Sequence, residues 1–444
     1  MAEHVFKRKV YAELLQWKSE SKGRSALLIE GARRIGKSTI VENFAKNEYE
    51  SYILIDFNKA SQKVSSLFDD LDDLDYIFLT LQTIYHKSLK ERKSLIIFDE
   101  VQRCPSARQA IKYLVADGRY DYIETGSLIS IKKNIQGITI PSEEDRIQMH
   151  PMDYEEFRWA LNDTATIPLL KNFFETKKPL RAAHRNAMRD FRLYALVGGM
   201  PQAIAAYLKT NDLKKVDETK RKIIRLYADD FMKLDPSGNI SQMFLNIPAQ
   251  LSRNAGRYVP SAAIGRIASS SGQELLAQMV DSKTVNIVYH ADDPNVGMAL
   301  SKNIDKYKLF ICDTGLFVTL CFWDKSFTEN VIYEQMLSDK LPANLGYIYE
   351  NLVAQVFTAK GDRLFYHTWA IDPKHNGKID FIISRGKKIC PIEVKSSGYR
   401  THASLDAFCK KYSSRIGERY LLYTKDLQKD ENTLMLPVYL AQYC

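Results

Sequence analysis

The stretch GARRIGKST, residues 31–39, combines residue types that hold phosphate groups. It fits the pattern Gly-x-x-x-x-Gly-Lys-Ser, directly after the apolar run ALLIE and at the start of a helical pattern. The two glycines permit a tight loop whose backbone N–H groups surround a phosphate, and Lys37 adds a positive charge. The Ser38 hydroxyl can ligate Mg²⁺. The strand and helix on either side disfavour the alternative, a chance match in a glycine turn. The predicted nucleotide-binding residues are Gly31, Ala32, Arg33, Arg34, Ile35, Gly36, Lys37, Ser38 and Thr39.

A second candidate element ends the apolar run LIIFDE with two carboxylates. Asp99 is suited to hold the water shell of Mg²⁺, and Glu100 to orient or deprotonate an attacking water. An Asp-Glu pair by itself is more often a solvated strand end. The phosphate-binding pattern upstream favours the catalytic interpretation, so Lys37 and Glu100 are predicted catalytic residues.

Three further side chains are predicted to act on the γ-phosphate. The run YIETGS, residues 122–127, ends with the hydroxyls of Thr125 and Ser127, and a plain turn is the alternative. Arg146 follows in EEDRIQMHP and is the candidate arginine finger, either within the chain or across a subunit boundary. An ordinary ion pair with Glu143 or Glu144 is the competing interpretation of Arg146.

A separate set of candidate residues lies near the end of the chain, in KIDFIISRGKKICPIEVKSS. Asp380 begins one predicted strand, while Glu393 and Lys395 are two residues apart on the next and point to the same face. Glu350, in the helical run GYIYENLVAQ, is the fourth member. Carboxylates converging on Mg²⁺ or Mn²⁺, with a cation to activate water, are typical of phosphodiester hydrolysis. The predicted metal ligands here are Glu350, Asp380 and Glu393, with Lys395 catalytic; a charged β-hairpin without metal is the alternative.

These residues must be positioned by several kinds of element. Short apolar runs at 26–30, 52–56, 94–100 and 121–127 alternate with helical patterns, which predicts an α/β fold with a parallel sheet. A long helical stretch then predicts a lid, and three short helices followed by the strand TVNIVYH predict a winged helix-turn-helix. The predicted domains are a P-loop core (1–152), a helical lid (153–235), a winged-helix segment with a linker (236–345) and an α/β domain with nuclease-fold order (346–444).

Composition limits the class of protein. A chain of 444 residues is expected to hold two to four domains. The net charge of +9 permits a polyanionic partner, and basic residues near the end could follow a phosphate backbone, although a solvated charged face explains them as well. Six cysteines without a Cys-x-x-Cys pair disfavour a zinc site or a disulfide framework. The absence of a signal-like or membrane-length apolar run predicts a soluble cytoplasmic protein.

Taken together, these motifs resemble the AAA-type ATPases of the AAA_14/DUF4143 family, which are related to archaeal ATPases. The resemblance covers nearly the whole chain, because further segments such as RIQMHPMDYEEF, YALVGGMPQAI and YKLFICDTGL follow in the family's order. It implies an ATP-binding core with Lys37 and Ser38 in the P-loop and Asp99 and Glu100 in Walker B. It also implies a helical lid, a winged helix and a terminal fold like the PD-(D/E)xK, or restriction-endonuclease-like, nucleases. Lys378 departs from the family, where Glu usually stands.

Two functional hypotheses follow. The first is a Mg²⁺-dependent ATPase that couples turnover to DNA, with a nuclease-like tail and a second Mg²⁺ or Mn²⁺ site. The second is a nucleotide-switched scaffold for protein interactions, whose nuclease-like domain is inactive. The expected cofactors are ATP and Mg²⁺; DNA and further copies of the chain are candidate partners, and no membrane is expected.

Overall fold

The computed structural model describes residues 5–126, 143–253, 256–265, 268–326, 328–338, 346–370, 376–430 and 432–444. The chain divides into two compact units. The first comprises Met1–Pro151 with Asp281–Lys283, and the second comprises Met152–Val280 with Thr284–Cys444. None of the helices in these described ranges is both long and apolar enough to cross a lipid bilayer.

The first unit contains a five-stranded sheet in the order β2-β3-β4-β1-β5, in which every neighbouring pair is parallel. This confirms the predicted parallel α/β sheet. Its central strands are buried along their whole length, because helices cover both faces of a parallel sheet. The strands are β1 (Ala26–Glu30), β2 (Ser51–Asp56), β3 (Ser94–Asp99), β4 (Asp121–Gly126) and β5 (Glu144–Gln148). The helices are α1 (Val10–Ser21), α2 (Lys37–Glu48), α3 (Gln62–Ser65), α4 (Leu74–Tyr85) and α5 (Pro105–Asp117).

The strand order determines where the functional side chains meet. Strand β4 lies between β1 and β3, and all three run in the same direction. Their carboxyl ends therefore share one edge of the sheet, which is where ligands bind in open α/β sheets. Apolar side chains of the strands, including Ile53, Ile96 and Phe98, pack with α4 and α5 into the core beneath this edge.

The second unit begins with a helical region, as the periodicity predicts. Helix α6 starts with a capping box, in which Asp153 accepts a hydrogen bond from the Glu156 N–H and the Glu156 carboxylate accepts one from the Asp153 N–H. The helices of this region are α6 (Tyr154–Ala160), α7 (Thr166–Thr176), α8 (His184–Val197), α9 (Pro201–Thr210), α10 (Leu213–Leu234), α11 (Asn239–Leu245), α12 (Ile247–Ser252), α13 (Ser261–Ile264) and α14 (Ser269–Asp281). The later helices are α15 (Thr314–Cys321), α16 (Asn330–Leu337), α17 (Gly346–Ala359) and α18 (Ala403–Lys411).

The turn GGMP between α8 and α9 packs without space for side chains. A Cβ on Gly199 would lie 2.1 Å from the Met152 carbonyl oxygen. The Gly199 N–H donates to the Asp313 carboxylate at 2.5 Å, and Asp313 also accepts a hydrogen bond from the Leu316 N–H at the start of α15. Asp313 therefore joins this turn to α15 through backbone donors, which accounts for the two adjacent glycines.

An eight-stranded sheet completes the second unit, in the order β12-β13-β11-β10-β9-β8-β6-β7. The strands are β6 (Val285–Ala291), β7 (Lys302–Ile311), β8 (Phe365–Ala370), β9 (Asn376–Arg385), β10 (Lys388–Lys395), β11 (Arg419–Tyr423), β12 (Gln428–Asp430) and β13 (Thr433–Pro437). Strand β6, which the sequence assigns to the winged-helix segment, pairs with β7 on one side and with β8 on the other. The predicted segments 236–345 and 346–444 thus contribute to one continuous sheet.

Candidate nucleotide-binding site

The predicted phosphate loop connects the end of β1 to the start of α2. Gly31 has a φ of +155°, and a Cβ there would lie 2.4 Å from the Met149 carbonyl oxygen and 2.5 Å from Ile35 Cδ1. Gly36, the residue before α2, has a φ of +93°. Only glycine accepts both the close contact and the positive φ without strain. The loop therefore directs its backbone toward the N-terminus of α2, where N–H groups favour an anion.

A buried arginine outside every sequence motif supports this loop. Arg8 donates from Nη1 to the Ile35 carbonyl at 2.8 Å and from Nη2 to the His150 carbonyl at 2.6 Å. Such charge-assisted bonds to two backbone carbonyls hold the loop against the segment that follows β5. An isolated basic residue near the N-terminus carries no motif, so the sequence offers no signal for this role.

Lys37 is buried at the base of the loop. Its Nζ donates to the carbonyl oxygens of Gly31 and Ala32, at 2.9 Å each. Burial lowers the pKa of Lys37 to about 8, and the nearby carboxylates of Glu100 and Asp99 partly oppose that shift. A negatively charged phosphate at the loop would stabilise the protonated form of Lys37. The side chain is therefore suited to bind a phosphate.

Two of the predicted hydroxyls converge on one carboxylate oxygen of Asp99. The Ser38 hydroxyl donates to Asp99 Oδ1 at 2.6 Å, and the Thr125 hydroxyl donates to the same oxygen. These side chains come from the start of α2 and from the ends of β3 and β4. Hydroxyl and carboxylate oxygens are the ligands that Mg²⁺ prefers. Ser38 and Asp99 therefore fit a magnesium ion, whereas Ser127, the other predicted hydroxyl, lies outside the described residues.

Glu100, the predicted general base, follows β3 in a left-handed conformation with φ 55° and ψ 46°. Its Oε2 accepts a hydrogen bond from Gln102 Nε2 at 2.5 Å. A non-glycine residue at positive φ is uncommon. Such residues cluster at functional sites, where the surrounding structure holds the strained backbone in place. Gln102 is a second residue without a sequence signal, and it orients the Glu100 carboxylate.

Arg146 lies on the edge strand β5 and is half-exposed. Its Nε is 2.9 Å from Glu144 Oε1, and its Nη1 is 3.5 Å from Glu30 Oε1. The ion pair with Glu144 is the alternative that the sequence left open. The role of Arg146 as an arginine finger stays a prediction.

A buried charge cluster joins helix α5 to strands β4 and β5. Arg108 contacts Glu124 and Glu144 at 2.7 Å each, and all three side chains are almost fully buried. Burial raises the pKa of the Glu124 carboxyl above its ordinary value; Arg108 opposes the shift, and Glu144 adds to it. Burial is the main cause of the raised pKa, because Arg108 divides its charge between Glu124 and Glu144, and this favours a proton on Glu124.

Glu124 is expected to make the first unit less stable as the pH rises. Because its pKa is raised in the folded chain and ordinary in the unfolded chain, the folded state binds more protons between the two values. The free energy of unfolding should fall by at least about 1 kcal/mol more for the wild type than for Glu124→Gln between about pH 5 and about pH 8. Chemical denaturation across that range measures it. Parallel pH profiles for the two proteins would contradict the assignment.

The C-terminal candidate residues are arranged differently from the prediction. Glu350 and Asp380 face the ammonium groups of Lys308 and Lys378. Glu393 lies 3.3 Å from Lys395, on the strand after Asp380. Within the described ranges, no group of three or more His, Cys, Asp and Glu side chains is placed to hold a metal ion.

The second metal site predicted from Glu350, Asp380 and Glu393 is therefore not supported. Two lysine side chains supply positive charge where the ligand set would need a divalent cation, and the carboxylates do not fit a metal while these lysines contact them. Lys378 stands at the position where the family resemblance expects Glu. Lys308, from β7, is not among the residues that the sequence predicts for this site.

Family models match three parts of the chain. Residues 23–158 match the AAA_14 model, described as an AAA domain. Residues 188–326 match a domain of unknown function, DUF8612, and residues 345–442 match another, DUF4143. No curated protein matches the chain.

Solved structures show weak similarity over larger parts of the chain. A Walker-type ATPase of Pyrococcus abyssi is 16% identical, with a TM-score of 0.44 over 72% of this chain and 97% of that protein. The Aeropyrum pernix Orc1 protein, solved in complex with DNA, is 10% identical, with a TM-score of 0.28 over 76% of this chain and 93% of that protein. The Thermotoga maritima RuvB Holliday junction branch migration motor is 10% identical, with a TM-score of 0.28 over 63% and 89%. Similarity at these TM-scores supports no conclusion about activity or partners.

The AAA-domain match and the local geometry agree with each other. The matched region includes the glycine loop, the Asp99 carboxylate and the Thr125 hydroxyl. Residues 23–158 are thus an AAA-like P-loop nucleotide-binding domain.

Proposed function

We propose that the protein is a Mg²⁺-dependent ATP-binding and ATP-hydrolysing protein. The observation that carries this proposal is the convergence of Ser38 and Thr125 on Asp99, beside a buried Lys37 at a glycine loop. When bound, Mg²⁺ would neutralise charge between the β- and γ-phosphates, and Ser38 and Asp99 are the residues that would hold it.

The chain's own residues then have separate tasks. The backbone N–H groups of the loop bind the phosphates, and Lys37 exchanges its two carbonyl acceptors for phosphate oxygens. Glu100, oriented by Gln102, accepts a proton from the attacking water. Thr125 orients Asp99 and faces the γ-phosphate. Arg146 acts on the same phosphate only if it leaves its ion pair with Glu144.

We further propose that DNA modulates this activity. The second unit carries much of the positive charge: residues 346–444 contain 15 Lys and Arg against 10 Asp and Glu. Lys387, Lys410 and Lys411 are exposed and available to phosphate groups. The helices between Asn239 and Asp281, followed by the antiparallel strands β6 and β7, support a winged-helix contribution. The resemblance to nuclease-like folds supports DNA as the polymer.

The test is the rate of ATP hydrolysis with and without DNA. Steady-state phosphate release should rise with duplex or single-stranded DNA, and the rise should weaken as salt is added. Activity lost in Lys37→Ala would show that the measured turnover belongs to this site. A response that stays flat for both kinds of DNA at low salt would remove the DNA coupling and leave the ATPase assignment intact.

A nucleotide-switched interaction protein is the second candidate. The observation in its favour is that Lys37 donates to two backbone carbonyls, and these hydrogen bonds must be released when a nucleotide binds. ATP should then change hydrogen-exchange protection within residues 152–444, even when turnover is slow. Protection that changes only in the P-loop domain would argue against this candidate.

A further inference from the structure

The C-terminal sheet holds a compact cluster of six charged side chains. Lys378 Nζ lies 2.8 Å from Asp380 Oδ1 and 3.4 Å from Glu350 Oε1. Lys308 Nζ lies 3.4 Å from Glu350 Oε2 and 4.0 Å from Asp380 Oδ1. The two lysines therefore bridge the same pair of carboxylates from different strands. The six members are Lys308, Glu350, Lys378, Asp380, Glu393 and Lys395.

The charges of this cluster balance. Three lysines face three carboxylates, so the cluster is neutral when all six are ionised. A site for a divalent cation needs an excess of negative charge, since each nearby ammonium group repels the metal. Asp380 also accepts a hydrogen bond from the Val394 N–H at 3.0 Å, which engages its second oxygen. Little ligand capacity remains on Asp380 for a metal.

Two members of the cluster, Lys308 and Asp380, are buried in the folded chain. Lys308 is 2% exposed, and the Asp380 residue is 5% exposed. Burial lowers the pKa of Lys308, whereas Asp380 and Glu350 raise that of Lys378 against the effect of its own burial. Removing one partner of a buried ion pair leaves an uncompensated charge, so the cluster is expected to persist as a unit.

The cluster also joins parts of the chain that are distant in sequence. Lys308 belongs to β7, within the DUF8612 match, whereas Glu350, on α17, and Asp380, on β9, belong to the DUF4143 match. Lys308 of β7 therefore contacts two carboxylates, Glu350 and Asp380, that belong to the next matched segment. The resemblance to nuclease-like folds would place a metal at this pair.

We propose that Lys308 and Lys378 are built-in counter-cations that take the place of a divalent metal, so that the C-terminal sheet is a metal-independent module that does not cleave phosphodiesters. This inference stands apart from ATP hydrolysis, because it concerns a site without nucleotide-binding residues. The module would bind a polyanion through its exposed lysines, without hydrolysis.

The full chain, without nucleotide, tests the proposal with MnCl₂ as the probe. Changing from EDTA to MnCl₂ should shift the unfolding temperature equally in the wild type and in Asp380→Asn, so that any effect of the Ser38–Asp99 site cancels. The Lys308→Met/Lys378→Met double variant should unfold at a lower temperature in EDTA, because Glu350 and Asp380 lose their partners. Mn²⁺ should restore part of that loss and should bind roughly tenfold or more tighter than to the wild type, since two repelling charges are gone.

Two control variants separate metal binding from the loss of any buried lysine. Lys378→Arg keeps the positive charge and should show no gain in Mn²⁺ affinity. Lys220 is another fully buried lysine of the same unit, and it donates to the Leu196 carbonyl at 2.6 Å. Lys220→Met should lose stability without any rescue by Mn²⁺.

Three results would overturn the proposal. The first is saturable Mn²⁺ binding to the wild type that disappears in Asp380→Asn. The second is wild-type cleavage of DNA that disappears in the same variant. The third is a double variant that folds and gains no affinity for Mn²⁺. If the double variant does not fold, Lys378→Met carries the test alone, because its side chain is partly exposed and its loss is the milder change.

Discussion

Replacing Lys37 with alanine is expected to lower ATP turnover by at least about a hundredfold. This is the order of effect seen when an enzyme loses one preorganised group that stabilises the charge developing on the substrate. The ammonium group lies buried at the glycine loop, where its charge is weakly screened by solvent. Its two hydrogen bonds go to backbone carbonyls, so its removal breaks no ion pair with any residue that the structure describes. Phosphate release measured at saturating ATP, together with binding of a fluorescent ATP analogue, checks the result.

Lys46→Ala is the matched control for this variant. Lys46 lies on the same helix, α2, and pairs with Glu42 on the exposed face at 2.7 Å. An exposed i, i+4 pair contributes little to stability, so turnover in the control should equal that of the wild type. Full turnover in Lys37→Ala would contradict the catalytic assignment of the P-loop.

Replacing Glu100 with glutamine is expected to separate ATP binding from ATP hydrolysis. The amide keeps the size of the side chain and can still accept the hydrogen bond from Gln102 through its carbonyl oxygen. It cannot take a proton from water, so turnover should fall by roughly a hundredfold or more, the usual contribution of a general base. ATP binding should be retained. Single-turnover hydrolysis and equilibrium binding of ATP measure the two effects.

Glu91→Gln provides the comparison, because Glu91 is exposed and precedes the same strand, β3. It should leave both quantities unchanged. Should Glu100→Gln hydrolyse ATP at the wild-type rate, another group must activate the water, and Glu100 would be left with a role in shaping the turn after β3.

The P-loop domain could be predicted because its signals are local. The central strands are continuous apolar runs, and the loop follows β1 within a few residues. The motifs predicted that Ser38, Asp99 and Thr125 act on one nucleotide, whereas the strand order that brings β1, β3 and β4 together was not predicted. Arg8 and Gln102 could not be predicted in the same way. Each acts through a hydrogen bond whose partner is set by tertiary packing and not by a motif.

The C-terminal site shows the opposite case. Strand periodicity placed Glu393 and Lys395 on one face, and the two lie close together. The pattern gave no indication that Lys308 would reach Glu350 and Asp380, because that contact depends on β7 joining the sheet through β6. A carboxylate spacing typical of metal sites is therefore compatible with a salt-bridged cluster.

The pairing of β6 with β8 limits which segments of this chain can be replaced by the corresponding segments of another protein. The two segments matched by separate models of unknown function share one sheet and one buried ion cluster. A hybrid protein with residues 346–444 from another chain would also need a compatible β6 and β7. Without them, β8 would become an unpaired edge strand. Strands β6 to β13 therefore form one structural unit, in which Lys308 of β7 contacts Glu350 and Asp380 of the second matched segment.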